Sequence, residues 1–174
     1  MLPNNFTLKS QEALQLAHKL AVEHGQQALE PIHLLAALVQ QEDGVVPAIF
    51  DKLPVDASAL RGQIESIMKQ LPKAFSTSQG GLGQIYLSPA MAQVFEAALQ
   101  MSKRFDDEYI STEHLLLGLW ADRNIQHFLG AFRITEEEIL RVLKDIRGTQ
   151  KVDSPSPESR YQALEKYSQD LTER

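Results

Sequence analysis

The sequence predicts an all-α domain built from two like four-helix units in tandem. Three observations carry this. Apolar residues recur at helical spacing almost throughout, cap-type residues stand ahead of those stripes, and one pattern of residues occurs twice. The chain has 174 residues, 43% of them hydrophobic and 23% charged, which suits one domain with a core large enough to need no staples. It contains no cysteine, so disulfides and thiolate metal sites are excluded, and a reducing, cytoplasmic setting is expected.

Taken in order, Ala13, Leu16, Ala17, Leu20 and Ala21 form the first stripe, with Thr7 ahead of it as an N-cap. Leu60, Ile64, Ile67, Met68 and Leu71 form another. Val94, Ala97, Ala98, Met101 and Phe105 follow Ser88-Pro89, a cap followed by proline at the first helical position, where its missing N–H costs nothing. Ile139, Val142, Leu143 and Ile146 follow Thr135, which with Glu138 has capping-box spacing. Gly25, Gly130 and Gly148 stand where helices should stop. The expected helices are 8–23, 31–40, 45–52, 56–70, 88–105, 112–121, 124–130, 135–147 and 158–172. No comparable run alternates with period two, so strands are not expected. The glycines and prolines of 72–86 and 148–157 predict two linkers, the second a mobile tether.

The duplication is the most informative feature. His33-Leu34-Leu35-Ala36-Ala37-Leu38 matches His114-Leu115-Leu116-Leu117-Gly118-Leu119 at an offset of 81. Holding that offset, Leu29 falls on Ile110, Leu20 on Met101, Ala17 on Ala98 and Thr7 on Ser88. Further on the offset is 79: Leu53 meets Phe132, Leu60 meets Ile139 and Ile64 meets Leu143. Each unit is then a long, a short, a short and a medium helix, and stacking the two buries the face that neither covers alone.

Several function classes are excluded. The net charge is −6 and no basic cluster suits phosphate binding, so no nucleic-acid partner is expected. No segment reaches the ~20 apolar residues of a membrane span, and the N-terminus lacks a signal-peptide pattern. Gly80-Gly81-Leu82-Gly83 is not followed by Lys-Ser or Lys-Thr and so is not a phosphate loop. Glu30 and His33 have the spacing of a di-iron helix, but the second unit has Ser111 in place of the carboxylate. The paired His33 and His114 are therefore expected to make local first-turn hydrogen bonds, with no metal and no catalytic residue.

Phe6-Thr-Leu-Lys-Ser-Gln-Glu-Ala-Leu, Leu29-Glu-Pro-Ile-His-Leu-Leu and Ile110-Ser-Thr-Glu-His-Leu-Leu resemble the doubled Clp N-terminal repeat of ClpB-type AAA+ disaggregase chaperones, over about residues 4–149. The segment from Tyr161 resembles the lead into the first AAA+ module of that family. In the ClpC branch both repeats carry Glu before the His and bind phosphoarginine. Here Ile32 stands in the first and Glu113 in the second, the ClpB form.

The resemblance implies a repeat domain over 1–149, with units at about 6–71 and 86–149, and a linker with the start of the next segment over 150–174. It implies a substrate-recognition domain that binds exposed apolar segments of unfolded or aggregated proteins. The alternative is an adaptor-docking domain of a protease-coupled Clp unfoldase. The implied partners are such clients, the rest of a homohexameric motor and a partner chaperone system. ATP and Mg are expected only with the motor, since these residues contain no Walker A motif.

For the binding surface, the resemblance carries a polar edge of Thr7, Asp107 and Glu113 over to this chain. The repeat adds Phe105 and Tyr109, whose counterparts are only His24 and Ala28, with Met101 beside them. Together these predict an apolar strip with an acidic rim, suited to segments rich in apolar and basic residues.

Overall fold

The computed structural model describes residues 5–73, 85–148 and 150–157. Unit one comprises α1 (Leu8–Glu23), α2 (Pro31–Gln40), α3 (Val45–Lys52) and α4 (Ala57–Gln70). Unit two comprises α5 (Pro89–Arg104), α6 (Thr112–Gly118), α7 (Arg123–Ala131) and α8 (Glu136–Arg147). The expected helices recur within one or two residues, except that α6 gives way to a 3-10 turn over Leu119–Ala121. The expected helix at 158–172 and most of the first linker lie outside the described residues.

The caps act as the sequence predicts. Thr7 Oγ1 accepts from the Ser10 N–H at 3.2 Å, Ser88 Oγ from Met91 at 3.0 Å and Thr135 Oγ1 from Glu138 at 3.1 Å. The helix stops are mixed. Gly25 takes φ +70°, and its counterpart 81 residues on, Asp106, takes φ +58°. An aspartate accepts this left-handed turn because its short side chain can hydrogen-bond locally. Gly130 does not end α7, and the left-handed residue there is Arg133, at φ +62°.

The first eight residues of α2 and all seven of α6 are buried, so these two helices are the centre of the molecule. Around them α1 packs on α2, α5 on α6 and α4 on α2, while α3 contacts both α6 and α8 across the units. One continuous core therefore spans both units. Leu16, expected in that core, is only half-buried, whereas Ala13, Ala17, Leu20 and Ala21 are buried.

Two short strands were not legible. β1 (Ala28–Leu29) pairs in parallel with β2 (Tyr86–Leu87), and Phe6 bridges Ile110 in the same sense. At the 81 offset Phe6 corresponds to Leu87 and Leu29 to Ile110. Each unit thus lays the residue before its first helix against the loop of the other unit, an exchange of arms that ties the halves together. Two residues are too few for alternation to register in a sequence.

The segment after α8 also differs from expectation. It is docked, not a free tether: Val152 is fully buried, and the Leu8 N–H donates to Pro155 O at 2.8 Å.

Candidate functional site

The site forms where α5 ends and α8 passes over the start of α6. Phe105 caps the C-terminus of α5, and the left-handed turn at Asp106 points the chain back toward α6. Asp107 then lies inside the molecule, its side chain fully covered. It accepts from His114 Nε2 at 2.8 Å, from both terminal nitrogens of Arg147 at 2.9 and 2.8 Å, and from the Val152 N–H at 3.0 Å. Arg147 also approaches Glu113, at 3.6 Å, and lies 5.6 Å over the Phe105 ring, which packs 5.6 Å from His114. Burial by itself raises the Asp107 carboxyl. The His114 and Arg147 hydrogen bonds, the Val152 N–H and the Arg147 charge outweigh it and hold the group well below the usual carboxylate range.

Unit one builds the same framework without charge. Gln26 replaces Asp107: it accepts from His33 Nε2 at 2.6 Å and donates to Met68 O at 2.7 Å. At the two offsets Ile32 stands for Glu113 and Met68 for Arg147. In both units the histidine Nδ1 accepts the backbone N–H three residues earlier, from Glu30 and from Ser111, each at 2.9 Å. Both nitrogens of each ring are therefore used in protein hydrogen bonds, the local role expected of them.

Because His33 Nδ1 is an acceptor, the ring must stay neutral. Burial, with His24 adding to it, pushes its pKa down to about 4. The folded value is depressed below the unfolded ~6.5, so this stability is complete above that pH and is lost as pH falls toward 4. Going from pH 7.5 to 5 should therefore cost about 2 kcal/mol, at 1.36 kcal/mol per unit. Urea unfolding at the two pH values measures this, and an NMR titration of His33 near 6.5 would contradict it.

The predicted site residues are thus placed as follows. Phe105, Asp107, Tyr109 and Glu113 gather around Arg147 and the segment after α8. Thr7 is buried beside Ile110, its N–H donating to Ile110 O at 3.0 Å, and Met101 is a core residue of α5. Thr7, Asp107 and Glu113 do not form an exposed acidic rim, because Arg147, 40 residues beyond Asp107, draws the two carboxylates inward. What is open is a groove of about 630 Å³ with Phe105, Leu140 and Leu143 along it and Arg104, Lys144 and Lys151 at its edges. Asp106 also lines it, but the basic side chains outnumber it, so the rim is basic on balance, the reverse of the expected sign.

Arg147 and Val152 were missed as site residues. The signal was the paired difference between the units, where Gln26, Ile32 and Met68 become Asp107, Glu113 and Arg147 together.

The family described as the Clp repeat (R) N-terminal domain matches residues 5–132. The chain belongs to this family. It is 38% identical over 169 residues to the chaperone protein ClpB of Clostridium tetani, covering 96% of this chain and 19% of that protein. Over 175 residues it is 36% identical to ClpB 2 of Synechocystis, covering 98% and 19%. The chain therefore spans about a fifth of the length of these relatives. Among solved structures, the Hsp104 N-terminal domain of Candida albicans superposes with a TM-score of 0.78 at 20% identity, covering 89% of this chain and 99% of that one. This likeness confirms the Clp N-domain fold. No helix among the described residues is long and apolar enough to cross a membrane.

Proposed function

We propose that this Clp N-domain is the client-recognition part of a cytoplasmic AAA+ disaggregase, binding exposed apolar segments of unfolded or aggregated proteins and passing them to the attached ATP-driven motor. The observation that carries this reading is the open groove at the end of α5, where the half-buried Phe105 and Leu140 present apolar surface over the buried Leu143, beneath a charged edge. Such a site suits an extended, flexible client. The edge carries Arg104 and Lys144, so apolar segments with acidic flanks fit it better than basic ones. Affinity is expected to be weak, on the order of micromolar, because ordering a flexible client offsets much of the contact energy. Six such domains in one assembly would raise the grip without new contacts.

Binding of a labelled, permanently unfolded protein tests the reading. Leu140→Ala should weaken it several-fold, and Arg104→Glu with Lys144→Glu should shift the preference toward basic flanks. Both variants are first checked to melt like the parent. Unchanged binding in both would place client capture elsewhere.

A further inference from the structure

We infer that the client site does not end at the open groove but continues beneath residues 150–155, which occupy it in cis, so that an incoming extended segment binds by displacing them. This rests on the reading above and adds the shape and chemistry of what is bound. The groove and the covered part are continuous: Gln150 and Lys151 line the groove, and the next residue, Val152, is fully buried.

The protein holds Val152 as it would hold a bound peptide. Its carbonyl accepts from the Glu108 and Tyr109 N–H groups at 2.8 and 3.2 Å, and its own N–H donates to Asp107 Oδ1 at 3.0 Å. Three residues further, Pro155 O accepts from the Leu8 N–H at 2.8 Å. These partners read the backbone, so any extended segment satisfies them. Only the enclosed Val152 side chain imposes a preference, for a compact aliphatic residue.

The cis occupant is also built to be replaceable. Beyond Val152 and Asp153 come Ser154-Pro155-Ser156-Pro157, whose prolines have no N–H to add to the pairing. While the segment is docked, the competent fraction is small, and apparent client affinity falls by that fraction.

The test uses the full chain and, as probe, a labelled peptide of residues 150–157, Gln-Lys-Val-Asp-Ser-Pro-Ser-Pro. Val152→Asp places a charge where the anchor was, and should raise affinity for the peptide about tenfold over the parent. A probe with aspartate in place of its valine should not bind. If folded Val152→Asp protein binds the peptide no better than the parent does, the inference fails. Should that variant not fold, amide exchange in the parent decides. Excess probe should speed exchange at Val152 of the chain while Glu108 and Tyr109 stay protected, and no change at Val152 would overturn the displacement. The two readings fail separately. An unfolded client that binds the parent but gains nothing from Val152→Asp removes only this inference, whereas peptide capture without any client binding removes only the proposed function.

Discussion

Asp107→Ala is expected to cost about 3–5 kcal/mol of stability, the range for removing one partner of a buried ion pair. The change strips Arg147 of both its bonds to Asp107 and leaves a guanidinium that is only 8% exposed, with Glu113 3.6 Å away. It also removes the acceptors of His114 Nε2 and of the Val152 N–H. Unit one supplies the control. Copying its set into unit two, as Asp107→Gln with Glu113→Ile and Arg147→Met, replaces the charges by groups that already pack at the equivalent positions. This triple variant should lie within about 1 kcal/mol of the parent or above it, since apolar replacement of a whole buried ion set is often neutral or stabilising. Denaturant midpoints measure both. If the single change is harmless, the network is not what holds α8 to α6. The pH dependence follows from the depressed Asp107 value: its stability is complete above the unfolded ~3.9 and is lost only as pH falls through the lower folded value. Asp107 therefore contributes nothing to losses between pH 7.5 and 5, the range in which His33 acts.

Gly118→Val is expected to cost about 3 kcal/mol, the upper end for overpacking. A Cβ at Gly118 would come within 2.7 Å of Val94 O, 3.0 Å of Ala98 N and 3.1 Å of Ala98 Cβ. Backbone atoms cannot swing aside as a side-chain tip can, so α5 and α6 would have to separate. Helix propensity alone predicts the opposite sign, because glycine inside a helix is poorer than almost any other residue. The counterpart in unit one is Ala37, fully buried, so the equivalent position there already accommodates a Cβ. Ala37→Gly should cost only about 1 kcal/mol. Thermal melts of the two variants check the contrast, and a stabilised Gly118→Val protein would show that the two helices are not in close approach.

These contrasts mark how far the residues could be read unaided. The stripes, the caps at Thr7, Ser88 and Thr135, and the offsets of 81 and 79 are local or strictly repeated signals. They led to the helices, the doubled architecture and the family. The arms at Phe6 and Leu87 were not legible, because two-residue pairings leave no period. The sign of the groove was misread for a related reason. Asp107 and Glu113 stand in a charged stretch that looks solvated, and nothing nearby in sequence announces that Arg147 neutralises and buries them.

The sequence by itself therefore determined what local periodicity and repetition can carry: an all-α fold of two like units, centred on the two His-Leu-Leu helices. Only the tertiary structure decided which charges are inside, which edge is open and what the segment after α8 does. Those outcomes depend on meetings such as Asp107 with Arg147, 40 residues apart, and Leu8 with Pro155. Whether a carboxylate faces water or a guanidinium is set by the partner that the fold brings to it, and that partner's distance along the chain leaves no mark in the local pattern.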